Sequence, residues 1–162
     1  NTSKDVLVAA ARHHGASVVE ILQNCVIFND GIHNYISDKT TRAERTIILR
    51  HGEKMVFGAN NDKGIVLDGF KLKAVTIGQD GYTMDDVLVH DATEPDNALH
   101  FKLAMMGCMG DTDMPVAMGV IRNVDAPTYD ACVEQQVEEV KNKKKDHNLM
   151  ELLMQGETWE VK

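Results

Sequence analysis

Apolar positions along the chain fall into short, separately bounded runs, and the spacing changes from one run to the next. Residues 5–14 carry a helical period, with Ser3 or Asp5 able to cap the start and Gly15 able to stop the end. Val18, Val19, Ile21 and Leu22 follow without clean alternation, which predicts a strand over residues 18–23 covered on both faces. Helix, glycine turn and buried strand read as the closing unit of a parallel sheet. The pattern changes after Asp30-Gly31. Thr41-x-x-Glu44 is a capping box ahead of Ile47, Ile48 and Leu49, and predicts a helix that Gly52 ends. Residues 55–57 form a short strand. Residues 65–67 and 70–77 flank Asp68-Gly69, a strong hairpin signal. Residues 87–90 and 115–121 are further strands, and residues 78–86 are the longest loop. Residues 96–106 predict a helix with Leu99, Leu103 and Met106 on one face and Gly107 beyond it. A long helix from Tyr129 to about Lys144 is expected to bury the stripe Val133, Val137 and Val140. A last short helix over residues 149–154 is capped by Asn148 and stopped by Gly156. The fold class is α/β in the mixed α+β sense. Residues 1–30 close a sheet, and residues 31–162 form an α+β region.

Composition narrows the functional classes. At 43% hydrophobic and 26% charged residues the chain can bury a core and is not globally disordered. A net charge of −8 argues against nucleic acid as a partner, because phosphate backbones are held by clustered Lys and Arg. No apolar run approaches the roughly 20 residues that span a bilayer, so no membrane partner is expected. The start is polar and carries no signal-peptide pattern. Cys25, Cys108 and Cys132 lack CxxC spacing and suit a reducing, cytoplasmic setting.

Few residues offer chemistry. Cys25 stands just past the carboxyl end of the expected strand, where open α/β sheets place ligands. From position alone a buried packing thiol is the commoner outcome. The histidines form no metal signature: His13 and His14 point apart on a helix, and there is no HExxH. Gly107-Cys108-Met109-Gly110-Asp111 follows a helix, whereas a phosphate loop follows a strand. Three serines without GxSxG exclude the usual serine-hydrolase elbow. Asp111 and Asp113 lack an EF-hand context. The run Lys141-Asn142-Lys143-Lys144-Lys145 complements a helix C-terminus. The methionines at 105, 106, 150 and 154 read as packing.

Taken together, Val19-Glu20-Ile21-Leu22-Gln23-Asn24-Cys25-Val26-Ile27-Phe28-Asn29-Asp30-Gly31 resembles the segment that follows the thiamine-diphosphate domain in β subunits of 2-oxoacid:ferredoxin oxidoreductases, in the wording of the 2-oxoglutarate branch. Further matches run in order: His51-Gly52-Glu53-Lys54-Met55-Val56-Phe57-Gly58, Lys63-Gly64-Ile65-Val66-Leu67-Asp68-Gly69, Leu88-Val89-His90-Asp91, Pro115-Val116-Ala117-Met118-Gly119-Val120-Ile121-Arg122 and Pro127-Thr128-Tyr129. The resemblance makes residues 1–30 the last helix and strand of a thiamine-diphosphate-type sheet and residues 31–162 the C-terminal extension. It implies a β subunit that binds thiamine diphosphate, Mg²⁺ and a 4Fe–4S cluster. Three cluster cysteines lie near that subunit's N-terminus, and the fourth matches Cys25, which becomes an expected metal ligand. The implied reaction is oxidative decarboxylation of a 2-oxoacid, 2-oxoglutarate by the wording, to its acyl-coenzyme A, with electrons passed to ferredoxin.

The family's Gly-Asp-Gly motif is absent, Asn60-Asn61 precedes Asp80-Gly81, and the other cluster cysteines are not found. The chain is therefore expected to lack the catalytic half, to supply no catalytic residue, to bind no cofactor alone and to be inactive alone. Its expected partners are the N-terminal part of the β subunit, the α subunit and, through the complex, ferredoxin. Self-association through an apolar edge at residues 18–28 is also expected. The alternative is a non-enzymatic α+β assembly or partner-binding module on the same scaffold. An upstream gene encoding the remaining cysteines and Gly-Asp-Gly would favour the oxidoreductase.

Overall fold

The computed structural model describes residues 2–107, 113–143, 148–157 and 159–161. Cys108, Gly110, Asp111, Lys144 and Lys145 lie outside the described residues. The chain forms two compact units, Asn1–Asp125 and Ala126–Lys162.

The first unit opens with α1 (Thr2–Arg12). The strand expected at residues 18–23 does not form: residues 16–24 have no regular structure, and Val18 is 98% exposed. A strand covered on both faces needs neighbours on either side, and no strand among the described residues pairs with this segment. Two one-turn helices follow, α2 (Asn34–Ser37) and α3 (Arg42–Arg45). The helix expected through residue 49 also yields to something else. Thr46-Ile47-Ile48 is a β-branched run, and it forms strand β1 (Thr46–Leu49) with Ile47 and Leu49 buried and Ile48 exposed. The capping box is left unmade. Its Glu44 carboxylate instead accepts the Ala59 N–H at 2.8 Å and pairs with Lys63 at 2.7 Å, which ties α3 to the next sheet.

That sheet is antiparallel, in the order β2-β3-β4, from β2 (Val56–Phe57), β3 (Lys63–Asp68) and β4 (Lys71–Thr76). Asp68 pairs with Lys71, so the loop is Gly69-Phe70, one residue later than the Asp-Gly signal implied. Gly69 sits at φ +60 and Phe70 is not left-handed, the pattern of a type II′ turn. The strand expected at 87–90 is an irregular extended segment. It is tied on both sides: Met55 N–H donates to Leu88 O at 2.8 Å, Leu88 N–H to Ile65 O at 2.9 Å and His90 N–H to Glu53 O at 2.9 Å.

Helix α4 (Ala98–Met105) matches expectation, with Leu103 buried and Gly107 at φ +66 beyond it. Strand β5 (Val116–Gly119) returns parallel to β1, Thr46 beside Val116 and Leu49 beside Gly119. Ile47, Leu49, Met55, Phe57, Ile65, Leu103 and Met106 form the core between the two sheets and α4. Each such side chain withdrawn from water stabilises the unit by roughly 1.5–3 kcal/mol.

The second unit holds α5 (Tyr129–Lys143) and α6 (Leu149–Leu153). The Asn148 side chain caps α6 by accepting Met150 N–H at 3.0 Å. None of this unit's described residues is buried, which corrects the buried stripe expected of Val133, Val137 and Val140. Helical spacing aligned those valines on one face without supplying a surface to cover them. No helix among the described residues is long and apolar enough to cross a membrane.

Candidate functional site

Cys25 stands at the start of a tight exposed loop. The Asn29 N–H donates to Cys25 O at 3.0 Å and closes the turn over residues 25–29. Outside the turn, the Asn24 side chain fixes both stems: its amide donates to Asp30 Oδ1 at 2.7 Å, and its carbonyl accepts Gly31 N–H at 2.8 Å. Gly31 adopts φ +77, where a side chain would also run into Asn34. The turn aims the backbone N–H groups of Phe28 and Ile27 at the Cys25 sulfur. These two hydrogen bonds hold the thiol below its ordinary pKa, with the Phe28 bond the larger effect. The thiol is at the surface and free of any disulfide, and a lowered pKa favours the form of a cysteine that binds metals. Its neighbours Val26, Ile27 and Phe28 are exposed as well.

The loop offers a single thiol. No group of three or more His, Cys, Asp or Glu side chains able to hold a metal occurs among the described residues. The donor set therefore fits one ligand of a thiolate-bound cluster and not a self-contained site. Cys132 is exposed on α5. Cys108 lies outside the described residues.

A second constellation went unread in the sequence. His90 and His100 are both buried, with their rings edge to face at 6.2 Å. Arg122 holds His100: Nη1 donates to His100 Nδ1 at 2.8 Å and to Glu94 O at 2.8 Å, and Nη2 donates to Pro95 O at 2.9 Å. A guanidinium only donates, so His100 carries its proton on Nε2 and gives it to Asp91 O at 2.7 Å. His90 Nε2–H donates to Val120 O at 2.9 Å, which leaves Nδ1 buried and without a partner among the described residues. Burial holds the His90 imidazole below its ordinary pKa, and the nearby His100 and His51 rings act the same way. His90-Asp91 and Arg122 fell inside segments of the family resemblance, but nothing in their spacing foretold that they meet.

Beside this network lies a cavity of about 390 Å³ at the carboxyl ends of β1 and β5, with α1 along one side. Arg50, His51, Thr93 and Asn123 supply its polar rim. Ala92 N–H donates to His51 Nδ1 at 3.3 Å, and His13 bonds Asn123 at 2.9 Å, so these rim groups are engaged within the fold.

Among known proteins, the chain is 38% identical over 164 aligned residues to the 2-oxoglutarate oxidoreductase subunit KorB of Mycobacterium tuberculosis. The alignment takes in 99% of this chain and 42% of that protein, its C-terminal part. The chain thus spans less than half the length of the curated relative it matches. No family model matches the chain, and no solved structure matches it significantly.

Proposed function

We propose that this chain, which matches the C-terminal part of a 2-oxoglutarate-type β subunit, works inside a 2-oxoacid:ferredoxin oxidoreductase as the holder of one iron–sulfur ligand and as a subunit-contact surface. The supporting observation is the Cys25 loop: an exposed thiol with two backbone N–H groups on its sulfur. In the assembled enzyme, Cys25 would give the fourth thiolate to a 4Fe–4S cluster whose other three come from the N-terminal part of the subunit. Such a cluster, when bound, carries electrons one at a time toward ferredoxin.

This chain's own residues do the holding. The Phe28 and Ile27 amides favour the thiolate and withdraw charge from the sulfur, one of the protein's levers on a cluster's potential. Asn24, Asp30 and Gly31 keep the loop in one shape, so that the thiolate is offered without reordering. Gly-Asp-Gly, the motif expected to hold thiamine diphosphate and Mg²⁺, is absent from this chain. The decarboxylation of a 2-oxoacid, with coenzyme A as acceptor, belongs to the rest of the complex.

The test reconstitutes the β subunit from this chain and its N-terminal part, adds the α subunit, and compares Cys25→Ala, Cys108→Ala and Cys132→Ala. Cys25→Ala should lose most of the cluster iron and electron transfer to ferredoxin, and the other two should keep both. Full iron and full turnover in Cys25→Ala would refute the cluster assignment of this thiol.

A further inference from the structure

Helix α5 carries an apolar stripe that its own unit does not bury. Tyr129, Val133, Val137 and Val140 recur at spacings of four, four and three, so they share one face, and all are exposed. The charges along the same helix are segregated. Asp130, Glu134, Glu138 and Glu139 occupy its first two-thirds, and Lys141 and Lys143 its end. We propose that α5 is a homotypic docking helix that pairs antiparallel with α5 of a second copy of this chain. The proposal is independent of the role given to Cys25.

Charge complementarity selects this occupant. With Val137 at heptad position a and Val133 and Val140 at d, Glu134 and Lys141 both fall at position e, on the flank of the stripe. In an antiparallel pair e faces e. Glu134 of each copy then meets Lys141 of the other, and two-fold symmetry makes the contact twice. A parallel pair faces e with g, which sets Glu134 beside Tyr129 and Lys141 beside Gln136. It also aligns four acidic residues with themselves. The antiparallel register brings Val137 against Val140 of the second copy in both directions, and Tyr129 and Val133 fall beyond the overlap of the two helices. Lys141 now reaches Glu138 within its own helix at 2.7 Å, but both side chains are more than half exposed, and such a pair is readily exchanged. The acidic flanks disfavour an anionic membrane as the occupant.

A contact of this length buries less than a permanent dimer does, so the association is expected to be reversible and concentration-dependent. Sedimentation equilibrium of the 162-residue chain, from about 10 μM to about 1 mM, reads it directly. A monomer–dimer equilibrium within that range is expected. Val137→Asp should weaken it roughly tenfold or more, because the new carboxylate would be buried at the centre of the contact. Glu134→Lys and Lys141→Glu should each weaken it about threefold to tenfold through like-charge contacts, and the double variant should restore it. Circular dichroism checks that each variant keeps the helix. A monomer at the highest concentration overturns the proposal. So does a dimer indifferent to Val137→Asp, which would place the contact elsewhere, such as residues 16–28. Failure of the double variant to restore pairing overturns the antiparallel register.

Discussion

His90 shows how one buried side chain sets a pH window. Its Nε2–H is used on Val120 O, and its Nδ1 is enclosed without a donor among the described residues. The groups facing it are the His100 and His51 rings, the Asp91 carboxylate and the Val120 carbonyl. Burial outweighs the last two, so the folded-state pKa lies below the ordinary imidazole value of about 6.5. The unfolded chain therefore takes up the proton first as pH falls. The contribution of His90 to stability is complete above about pH 6.5 and is lost as pH drops from there toward the folded-state pKa. The carboxylates Asp38, Glu44, Asp86, Asp91 and Asp130 are also held low by hydrogen bonds, and they lose stability in the same direction. Their window begins below about pH 4.5, apart from the window of His90. Urea unfolding from about pH 7 to about pH 5 should show stability falling with acid. His90→Leu should flatten the fall while costing about 1–3 kcal/mol at pH 7, because Val120 O is left bare. An unchanged slope in the variant would show that His90 is not the responsible group.

At the scale of elements, the joint between the parallel strands is the most constrained place. Gly119 lies at φ +104, and a Cβ there would stand 2.5 Å from Leu49 O, on the strand it pairs with. Gly119→Ala is expected to cost about 1–3 kcal/mol in urea unfolding. Ile65→Ala or Leu103→Ala should cost about 2–5 kcal/mol, because both side chains are wholly buried. Phe28→Ala, at 89% exposure, should cost almost nothing in this chain. The elements that sequence read well are those whose signals are local. The hairpin of β3 and β4 rests on a glycine turn between apolar runs, α4 on its period and following glycine, and α6 on Asn148. The misread elements depend on partners far along the chain. Thr46–Leu49 looked like a helix until β5, some seventy residues later, paired with it. Residues 18–23 read as a buried strand because their apolar content is real, but content does not supply neighbours. The candidate site divides the same way. Cys25 was legible from its segment, while the two N–H groups on its sulfur belong to a turn with no spacing signature. The meeting of His90, His100 and Arg122 was hidden because the three come from separate elements.

For the whole molecule, the open segment before the cysteine loop is the feature that most needs a partner. Val18, Ile21, Val26, Ile27 and Phe28 are exposed, and residues 18–24 make no backbone hydrogen bond among the described residues. Extended backbone with free N–H and C=O groups and apolar side chains is suited to joining the edge of another sheet. Under the proposed function that sheet belongs to the N-terminal part of the β subunit, and docking there would carry Cys25 toward the other cluster ligands. Two measurements follow from the same premise. Calorimetry of this chain with thiamine diphosphate and Mg²⁺ should show no specific binding, since the diphosphate motif is absent, and micromolar binding at unit stoichiometry would sink that expectation. Hydrogen exchange should find the amides of residues 18–24 open in the chain alone. Adding the N-terminal part should slow them by roughly a hundredfold or more as they enter a ladder. Strong protection without that part would mean the segment already has a partner in this chain. No added protection, in a mixture that nevertheless assembles, would place the docking surface elsewhere and leave the approach of Cys25 to a cluster without a route.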